Sequence, residues 1–315
     1  MDKKIIAVVG ATGAQGGGLV RAILDDPSGG FAARALTRDP NSAKAKELAD
    51  RGAEVVAVNI DDGDSLSRAF AGAYGAYCVT FFWDHFSALK EAAEVEAMAK
   101  AAKTAGLKHA IWSTLEDTRL LVPLVDNRMP TLQGKYKVPH FDGKGASNHF
   151  FTDTSVPTTF LLTSFYWENL IYFGMGPKKG ADGKLGFVLP MADKKLPSIA
   201  TEDIGRCAYG IFKAGSEYLG QTVGIAGEHL TGTQMAKVLS DALGQEVVYN
   251  YVPPEIYRTF GFPGADDLAN MFQYNRDFAA EFCGARDLGV SRSLNPKLQT
   301  FAAWAKAHKD RIPLA

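Results

Sequence analysis

The chain has 315 residues, of which 46% are hydrophobic and 22% are charged, and its formal net charge is −1. This is the composition of a soluble globular protein with room for about two domains. Because no basic stripe is present, we expect no direct nucleic-acid binding. No apolar run approaches the roughly 18 residues of a membrane span, so we also expect no insertion into a membrane.

The three cysteines indicate neither a disulfide framework nor a metal centre. Cys78, Cys207 and Cys283 lie far apart and show no metal-ligand spacing. We therefore interpret them as small neutral residues in a reducing compartment, and we expect no metal. The apolar run after the first four residues is too short for the core of a signal peptide. A cytoplasmic protein with access to the nucleus is the expectation.

The first predicted elements are a strand, a glycine-rich turn and a helix. The apolar run at residues 5–9 predicts a strand buried on both faces, and apolar residues recur at helical spacing from Leu19 to Leu24. Glycines in the turn let the backbone approach a phosphate, and the helix N-terminus offers free N–H groups. We expect a pyrophosphate here; the alternative is a glycine-rich loop without a ligand. The predicted cofactor-binding residues of the turn are Gly10, Ala11, Thr12, Gly13, Ala14, Gln15 and Gly16.

Strands and helices alternate through the rest of the first half. Strands are predicted at residues 32–37, 54–58, 77–80, 110–113 and 158–162. Helices are predicted at 41–51, with Asn41 as N-cap, and at 64–70, 86–105 and 142–153. Strict alternation implies right-handed crossovers between parallel strands. The fold class is therefore α/β, with a Rossmann-type doubly wound parallel sheet and a smaller α/β C-terminal lobe.

The pattern changes after about residue 165. Residues 174–186 are rich in Gly, Lys and Pro and are predicted to be a loop. Helices are predicted at 201–213, with Thr201 as N-cap, and at 231–243 and 296–309; strands are predicted at 221–225 and 247–252. We predict a dinucleotide-binding domain at residues 1–164. Residues 165–315 are expected to form a smaller substrate or partner lobe, some segments of which return to the Rossmann sheet.

Arg38 follows the second predicted strand, where this fold places the adenosine ribose. An acidic residue there accepts a hydrogen bond from the 2′-hydroxyl of NAD, whereas an arginine accommodates the 2′-phosphate of NADP. A guanidinium makes charge-assisted, bidentate bonds to a phosphate. We therefore expect NADP(H) as the cofactor, which requires the neighbouring Asp39 to point away. The alternative is a solvated surface arginine.

Two further strand ends carry polar residues. Asp61 and Asp62 follow the third strand, where one carboxylate could contact the adenine amino group and the other could cap the next helix. Thr80 ends the fourth strand and is expected to line the cofactor cleft together with Phe81. The aromatic run at 81–83 forms either the wall of a pocket for an aromatic substrate or packing beneath the second lobe.

A reductase needs a proton donor beside the substrate carbonyl, because hydride transfer creates an alkoxide. Short-chain dehydrogenases use a serine at the end of the fifth strand and a Tyr-x-x-x-Lys helix, whose lysine holds the nicotinamide ribose. Ser113 and Lys144 occupy these places, but His140 stands where the tyrosine would be, and Tyr136 lies four residues too early. Ser113, His140 and Lys144 are therefore the candidate catalytic residues, with His140 either the acid or a structural histidine.

Four segments of the chain resemble one family. The runs at 10–17, 139–145, 166–169 and 261–272 are similar to those of the NmrA-like family of atypical short-chain dehydrogenases/reductases, and the last two resemble its animal redox-sensor branch. The resemblance implies two lobes and NADP(H) bound through Thr12, Gly13, Gln15, Gly16 and Arg38. It also places Asp61, Thr80 and Lys144 at cofactor positions, and the tetrad Tyr166, Trp167, Glu168 and Asn169 near the nicotinamide.

The resemblance implies two possible functions. Members of the family sense the NADPH/NADP⁺ ratio and change partner or oligomeric state, and other members reduce quinones, dyes or phenylpropanoids without the usual tyrosine. A complete cofactor site beside an incomplete proton-transfer set favours a redox sensor, whose partner is another protein or a second copy of the chain. The aromatic residues expected around the cleft favour, as the alternative, an NADPH-dependent reductase of a small aromatic substrate that carries an apolar carbonyl, an imine or a quinone.

Overall fold

A seven-stranded parallel sheet forms the centre of the molecule. The computed structural model describes residues 2–180 and 183–314. The strands of this sheet are β1 (Lys4–Val8), β2 (Phe31–Thr37), β3 (Glu54–Ala57), β4 (Gly75–Cys78), β5 (His109–Thr114), β6 (Thr158–Leu162) and β11 (Thr222–Gly224). Their spatial order is β11-β6-β5-β4-β1-β2-β3, and every neighbouring pair is parallel. The predicted Rossmann-type sheet is therefore confirmed.

Helices cover both faces of this sheet. On one face, α1 (Ala14–Leu24) and α8 (Thr201–Lys213) pack with Ile6 and Val8 of β1. On the other face, α3 (Gly63–Phe70) and α4 (Ala88–Thr104) pack with Ala7 and Val9. Since successive side chains of β1 are buried on opposite faces, this strand reads as a continuous apolar run. The remaining helices of the first half are α2 (Ala43–Asp50), α5 (Pro139–Ala146) and α6 (Asn148–Asp153).

Helices α1 and α8 cross at very short distance. A Cβ atom built on Gly205 would lie 2.1 Å from the backbone nitrogen of Leu19, and one built on Gly18 would lie 2.9 Å from the carbonyl oxygen of Glu202. The Arg21 Nε also donates to Glu202 Oε2 at 3.0 Å. The second half of the chain therefore supports the helix that follows the glycine-rich turn.

The residues after β6 also build a smaller lobe, which is called the second lobe below. One of its sheets contains β7 (Phe165–Tyr166), β10 (Lys195–Ile199) and β12 (Glu228–Thr231), and the other contains β8 (Lys178–Lys179), β9 (Leu185–Leu189) and β13 (Val247–Tyr251). Its helices are α7 (Asn169–Tyr172), α9 (Gly232–Leu243), α10 (Pro254–Tyr257), α11 (Ala265–Asp277), α12 (Ala279–Gly284) and α14 (Phe301–His308). Helix α13 (Leu288–Leu294) instead packs against α8 in the core of the large sheet. The core of this lobe includes Trp167, Phe272 and Trp304. The division into domains at residue 164 stays a prediction.

Several local predictions were wrong, among them the start of the last helix, which lies at Phe301 and not at residue 296. The segment predicted as one helix at 142–153 forms α5 and α6, which are separated at Ser147. Ser42, and not Asn41, supplies the capping oxygen of α2. Thr201 is the first residue of α8 and not its N-cap. Its backbone N–H donates to the carboxylate of Glu168 at 2.9 Å. The cap therefore comes from a distant segment.

The described part of the chain contains neither a membrane-spanning helix nor a metal cluster. None of its helices combines the length and the apolar character that crossing a bilayer requires. No group of three or more His, Cys, Asp or Glu side chains in these residues could hold a metal ion. Cys78 and Cys207 are buried, and burial raises the pKa of the Cys78 thiol to about 12, so it stays protonated.

Candidate functional site

The glycine-rich turn joins β1 to α1 at the carboxyl edge of the large sheet. Gly10 has a φ of +65°, in the left-handed region that favours glycine. A Cβ atom on Gly16 would lie 2.5 Å from the carbonyl oxygen of Gly10, so a side chain there would collide with the turn. Gly13 is the N-cap of α1 and provides no capping side chain. The first N–H groups of α1 are therefore available to an anion.

Gln15 connects this turn to three other elements. Its Oε1 accepts hydrogen bonds from Tyr77 Oη and, at 2.7 Å, from Ser113 Oγ. Its Nε2 donates to Tyr166 Oη in β7. Burial raises the pKa of Tyr166, which therefore stays a neutral phenol. The structure thus brings together three predicted site residues, Gln15, Ser113 and Tyr166, with Tyr77 beneath them.

Lys144 lies in a buried network with Thr80. The Lys144 Nζ donates to Thr80 Oγ1 and, at 3.3 Å, to the Thr80 carbonyl oxygen. The Thr80 hydroxyl donates to Glu91 Oε1 at 2.7 Å, and this carboxylate lies 3.0 Å from Lys144 Nζ. Glu91 is completely buried. A buried carboxylate requires such a partner because an unpaired charge in the protein interior is strongly destabilising.

The other end of the cleft carries exposed charges. Arg38 follows β2, and its guanidinium lies 3.1 Å from Asp84 Oδ2; the side chain of Arg38 is 78% exposed. Asp61 follows β3 and lies 3.5 Å from Lys90 Nζ. Asp62 caps α3 by accepting a hydrogen bond from Asp64 N. Of the two neighbouring carboxylates, Asp62 therefore caps the helix and Asp61 lies at the surface beside Lys90; its contact with adenine stays a prediction.

His140 is held by a carboxylate from the second half of the chain. Its Nδ1 lies 2.6 Å from Asp267 Oδ1, and its backbone N–H donates to Asp267 Oδ2 at 3.2 Å. The imidazole packs against the ring of Trp83, with 4.8 Å between centroids, and both His140 and Asp267 are buried. A protonated Nδ1 would satisfy this carboxylate and leave Nε2 free, so the geometry is compatible with both alternatives for His140, which stay predictions.

The 81–83 run divides between the cleft and the protein interior. Phe81 is 52% exposed, whereas Phe82 is buried. Trp83 also contacts the second lobe, because a Cβ atom on Gly264 would lie 2.8 Å from its ring. Packing is therefore observed at Phe82 and Trp83, whereas a substrate-pocket wall at Phe81 stays a prediction.

The Tyr166–Asn169 tetrad separates into two parts. The indole of Trp167 is completely buried and donates to Ser198 Oγ at 2.8 Å. The Glu168 carboxylate accepts a hydrogen bond from Trp304 Nε1 at 3.0 Å in addition to that from α8. These two side chains are not brought together with the others, and their predicted cofactor contacts stay predictions. Asn169 begins α7.

Sequence reasoning missed three carboxylates, Asp84, Glu91 and Asp267. Each is paired with a basic residue that was identified as a candidate, namely Arg38, Lys144 or His140. Only Glu91 left a readable signal, since it lies on the apolar stripe of α4 together with Ala88, Val95 and Met98. A carboxylate on such a stripe needs a buried partner.

Comparison with known proteins identifies the family. The model of the NmrA-like family matches residues 2–305. An NmrA-like family domain-containing oxidoreductase of Cladobotryum is 27% identical and aligns with 98% of this chain and 95% of its own length. The fold is similar to that of NmrA, a negative transcriptional regulator crystallised with NADP (TM-score 0.78, 24% identity, 97% and 95% of the two chains). It is also similar to Citrobacter triphenylmethane reductase complexed with NADP(H) (TM-score 0.75, 20% identity, 98% and 99% coverage). Because the family model spans nearly the whole sequence, the chain belongs to the NmrA-like family.

Proposed function

We propose that this protein binds NADP(H) at the carboxyl edge of the large sheet and senses the NADPH/NADP⁺ ratio. One observation carries the proposal: the first backbone N–H groups of α1 are free to hold a phosphate, whereas the position of the usual tyrosine proton donor holds His140. A protein that only binds the dinucleotide needs these N–H groups and needs no proton donor.

The residues of the cleft fit the parts of NADP(H). The N–H groups at the start of α1 would hold the diphosphate, because Gly16 leaves the backbone accessible. Arg38 would bind the 2′-phosphate, and Thr80 and Lys144 would hold the nicotinamide ribose. When bound, the nicotinamide can supply a hydride. NmrA and triphenylmethane reductase, which share this fold, were each crystallised with an NADP cofactor.

Two contacts would make the conformation depend on occupancy. The 2′-phosphate and Asp84 compete for the same Arg38 guanidinium, so binding would release the segment that contains Asp84. The hydrogen bond from Gln15 Nε2 to Tyr166 Oη joins the phosphate turn to β7 of the second lobe. Binding energy that differs between two conformations is what a ligand needs to shift their populations. The surface altered in this way would be read by a protein partner or by a second copy of the chain.

Calorimetry and mass measurement test the sensor. Isothermal titration with NADPH and NADP⁺ establishes binding, and light scattering then gives the oligomer mass with and without each nucleotide. A pull-down from a cell extract, repeated under the same three conditions, detects a protein partner. We expect a mass or a partner set that differs between NADPH and NADP⁺. No heat with either nucleotide would refute cofactor binding, and identical masses and partners with NADPH and with NADP⁺ would refute sensing of the ratio.

A second candidate function is an NADPH-dependent reductase of an apolar carbonyl, imine or quinone. It is supported by the Cladobotryum relative, which is named an oxidoreductase, and by the exposed aromatic side chain of Phe81, which follows Thr80. A quinone accepts hydride readily and can take its proton from water, so it does not require the missing tyrosine. His140, Lys144 and Ser113 would assist as proton donors or by orienting the substrate.

Turnover of NADPH distinguishes the two candidates. The absorbance of NADPH is followed at saturating cofactor with a panel of quinones, aldehydes and imines. Oxidation above background that is lost in Lys144→Met would establish the reductase. Absence of oxidation with every compound, in a preparation that binds NADPH by calorimetry, would leave the sensor as the function.

A further inference from the structure

The buried ion pair between Glu91 and Lys144 affects the relative affinity of the proposed site for NADP⁺ and NADPH. Oxidised nicotinamide carries one positive charge and reduced nicotinamide carries none. A lysine ammonium beside the ring therefore disfavours NADP⁺ relative to NADPH unless another charge compensates it. The two nucleotides are otherwise alike in the groups that face the protein.

Glu91 is placed to provide that compensation. Its Oε1 lies 3.0 Å from Lys144 Nζ and accepts the hydrogen bond of the Thr80 hydroxyl at 2.7 Å. Glu91 is completely buried and Lys144 is 8% exposed, so water screens this pair little. On its other side, the Lys144 ammonium lies 5.1 Å from the centre of the Trp112 ring, which carries no net charge.

We propose that Glu91 sets the redox preference of the site by cancelling the charge of Lys144 beside the nicotinamide. The inference rests on the proposed binding of NADP(H) and explains how a sensor can bind both redox forms. Glu91 does not touch the cofactor; it acts through Lys144 and is a positioning residue. Glu91→Gln removes the negative charge but keeps the size of the side chain and an oxygen that accepts from Thr80.

The expected effect is a change in a ratio of affinities. At an effective dielectric constant of about 20, unit charges about 10 Å apart interact strongly enough to change an equilibrium constant about tenfold. The ratio of Kd for NADP⁺ to Kd for NADPH should therefore rise about tenfold in Glu91→Gln. In Lys144→Met, which removes the positive charge nearer to the ring, the ratio should fall. In the double variant it should return to within about threefold of the wild-type ratio.

The experiment is isothermal titration of the full chain with NADP⁺, NADPH and 2′,5′-ADP, which lacks the nicotinamide half. Affinity for 2′,5′-ADP should be the same in every variant and reports an intact fold. Glu96→Gln is the matched control, because it removes the same charge from the same helix at an exposed position paired with Lys100. Its ratio should equal that of the wild type. Glu91→Asp, which restores the charge, should retain most of the wild-type ratio.

The outcomes separate this inference from the proposed function. If the wild type binds none of the three nucleotides, the proposed function itself fails. If the wild type binds them and Glu91→Gln leaves the ratio unchanged, only the role of Glu91 is refuted. If Glu91→Gln does not fold, the inference is tested with Lys144→Met. A ratio of Kd for NADP⁺ to Kd for NADPH that equals or exceeds the wild-type ratio then overturns the inference.

Discussion

Removing the Arg38 guanidinium should weaken the binding of NADPH much more than that of NADH. The side chain of Arg38 is 78% exposed, and its ion pair with Asp84 spans 3.1 Å at the surface. Exposed pairs contribute about 0–1 kcal/mol to folding, so Arg38→Ala should leave the fold intact. A hydrogen bond to a charged group contributes about 1.5–3 kcal/mol, which corresponds to a loss of about ten- to hundredfold in NADPH affinity. NADH lacks the 2′-phosphate and should lose almost nothing.

Calorimetric titration of both nucleotides into the wild type and two variants checks this prediction. Arg68→Ala is the matched control, because Arg68 is 72% exposed and lies 3.9 Å from the carboxylate of Asp62. It should leave both affinities within about twofold. Equal losses for NADPH and NADH in Arg38→Ala would refute contact with the 2′-phosphate. Equal losses of NADPH affinity in both variants would indicate a general effect of surface charge.

Three further substitutions test the glycine-rich turn, the crossing of α1 and α8, and the buried carboxyl of Glu94. Gly16→Ala should abolish the heat of NADPH binding, because its Cβ would lie 2.5 Å from Gly10 O and would displace the glycine-rich turn. Wild-type affinity in this variant would contradict phosphate binding at the turn. Gly205→Ala should lower the unfolding free energy in urea by about 1–3 kcal/mol through overpacking against Leu19, and unchanged unfolding would contradict the close crossing. Burial raises the pKa of Glu94 from 4.5 to about 7, so its contribution to stability is full below pH 4.5 and is lost as the pH rises through about 7. Above that pH, the free energy of unfolding in urea should therefore be up to ~3 kcal/mol higher for Glu94→Gln than for the wild type, and at acid pH the two should be equal. A difference that does not depend on pH would refute the raised pKa.

The central sheet could be predicted because its inner strands β4, β5 and β6 are buried along their whole length. Buried parallel strands read as apolar runs, and the glycine-rich turn after β1 marks the first crossover. The second lobe was less readable. Lys178–Lys179 and Leu185–Leu189 form β8 and β9 within or beside a segment predicted as loop, because exposed lysines and glycines weaken the alternation. The resemblance to the animal branch of the family stays a prediction.

The positions of the basic residues in the cleft could be predicted, whereas their acidic partners could not. A residue that follows a strand of a parallel sheet lies at its carboxyl edge, and this rule is enough to place Arg38 and Thr80. The partners come from other elements, since Asp267 lies on α11 and is 127 residues from His140. Such pairs depend on tertiary packing, and apart from the place of Glu91 on the apolar stripe of α4 the sequence contains no local signal for them.

The pairing of these charges also locates the part of the site that can respond to a ligand. At the end of the cleft proposed for the nicotinamide, Lys144 and His140 are held by buried carboxylates, and breaking a buried pair is strongly destabilising, by about 3–5 kcal/mol. At the end proposed for the adenosine, the Arg38–Asp84 pair is exposed and contributes no more than about 1 kcal/mol, so a phosphate would displace the carboxylate readily. Asp84 directly follows Trp83, whose ring contacts the second lobe at Gly264. A change that begins with the 2′-phosphate therefore has a short physical connection to that lobe and would report that the site is occupied. Because NADPH and NADP⁺ both carry this phosphate, discrimination between them has to arise beside Lys144, where the charge of the nicotinamide differs.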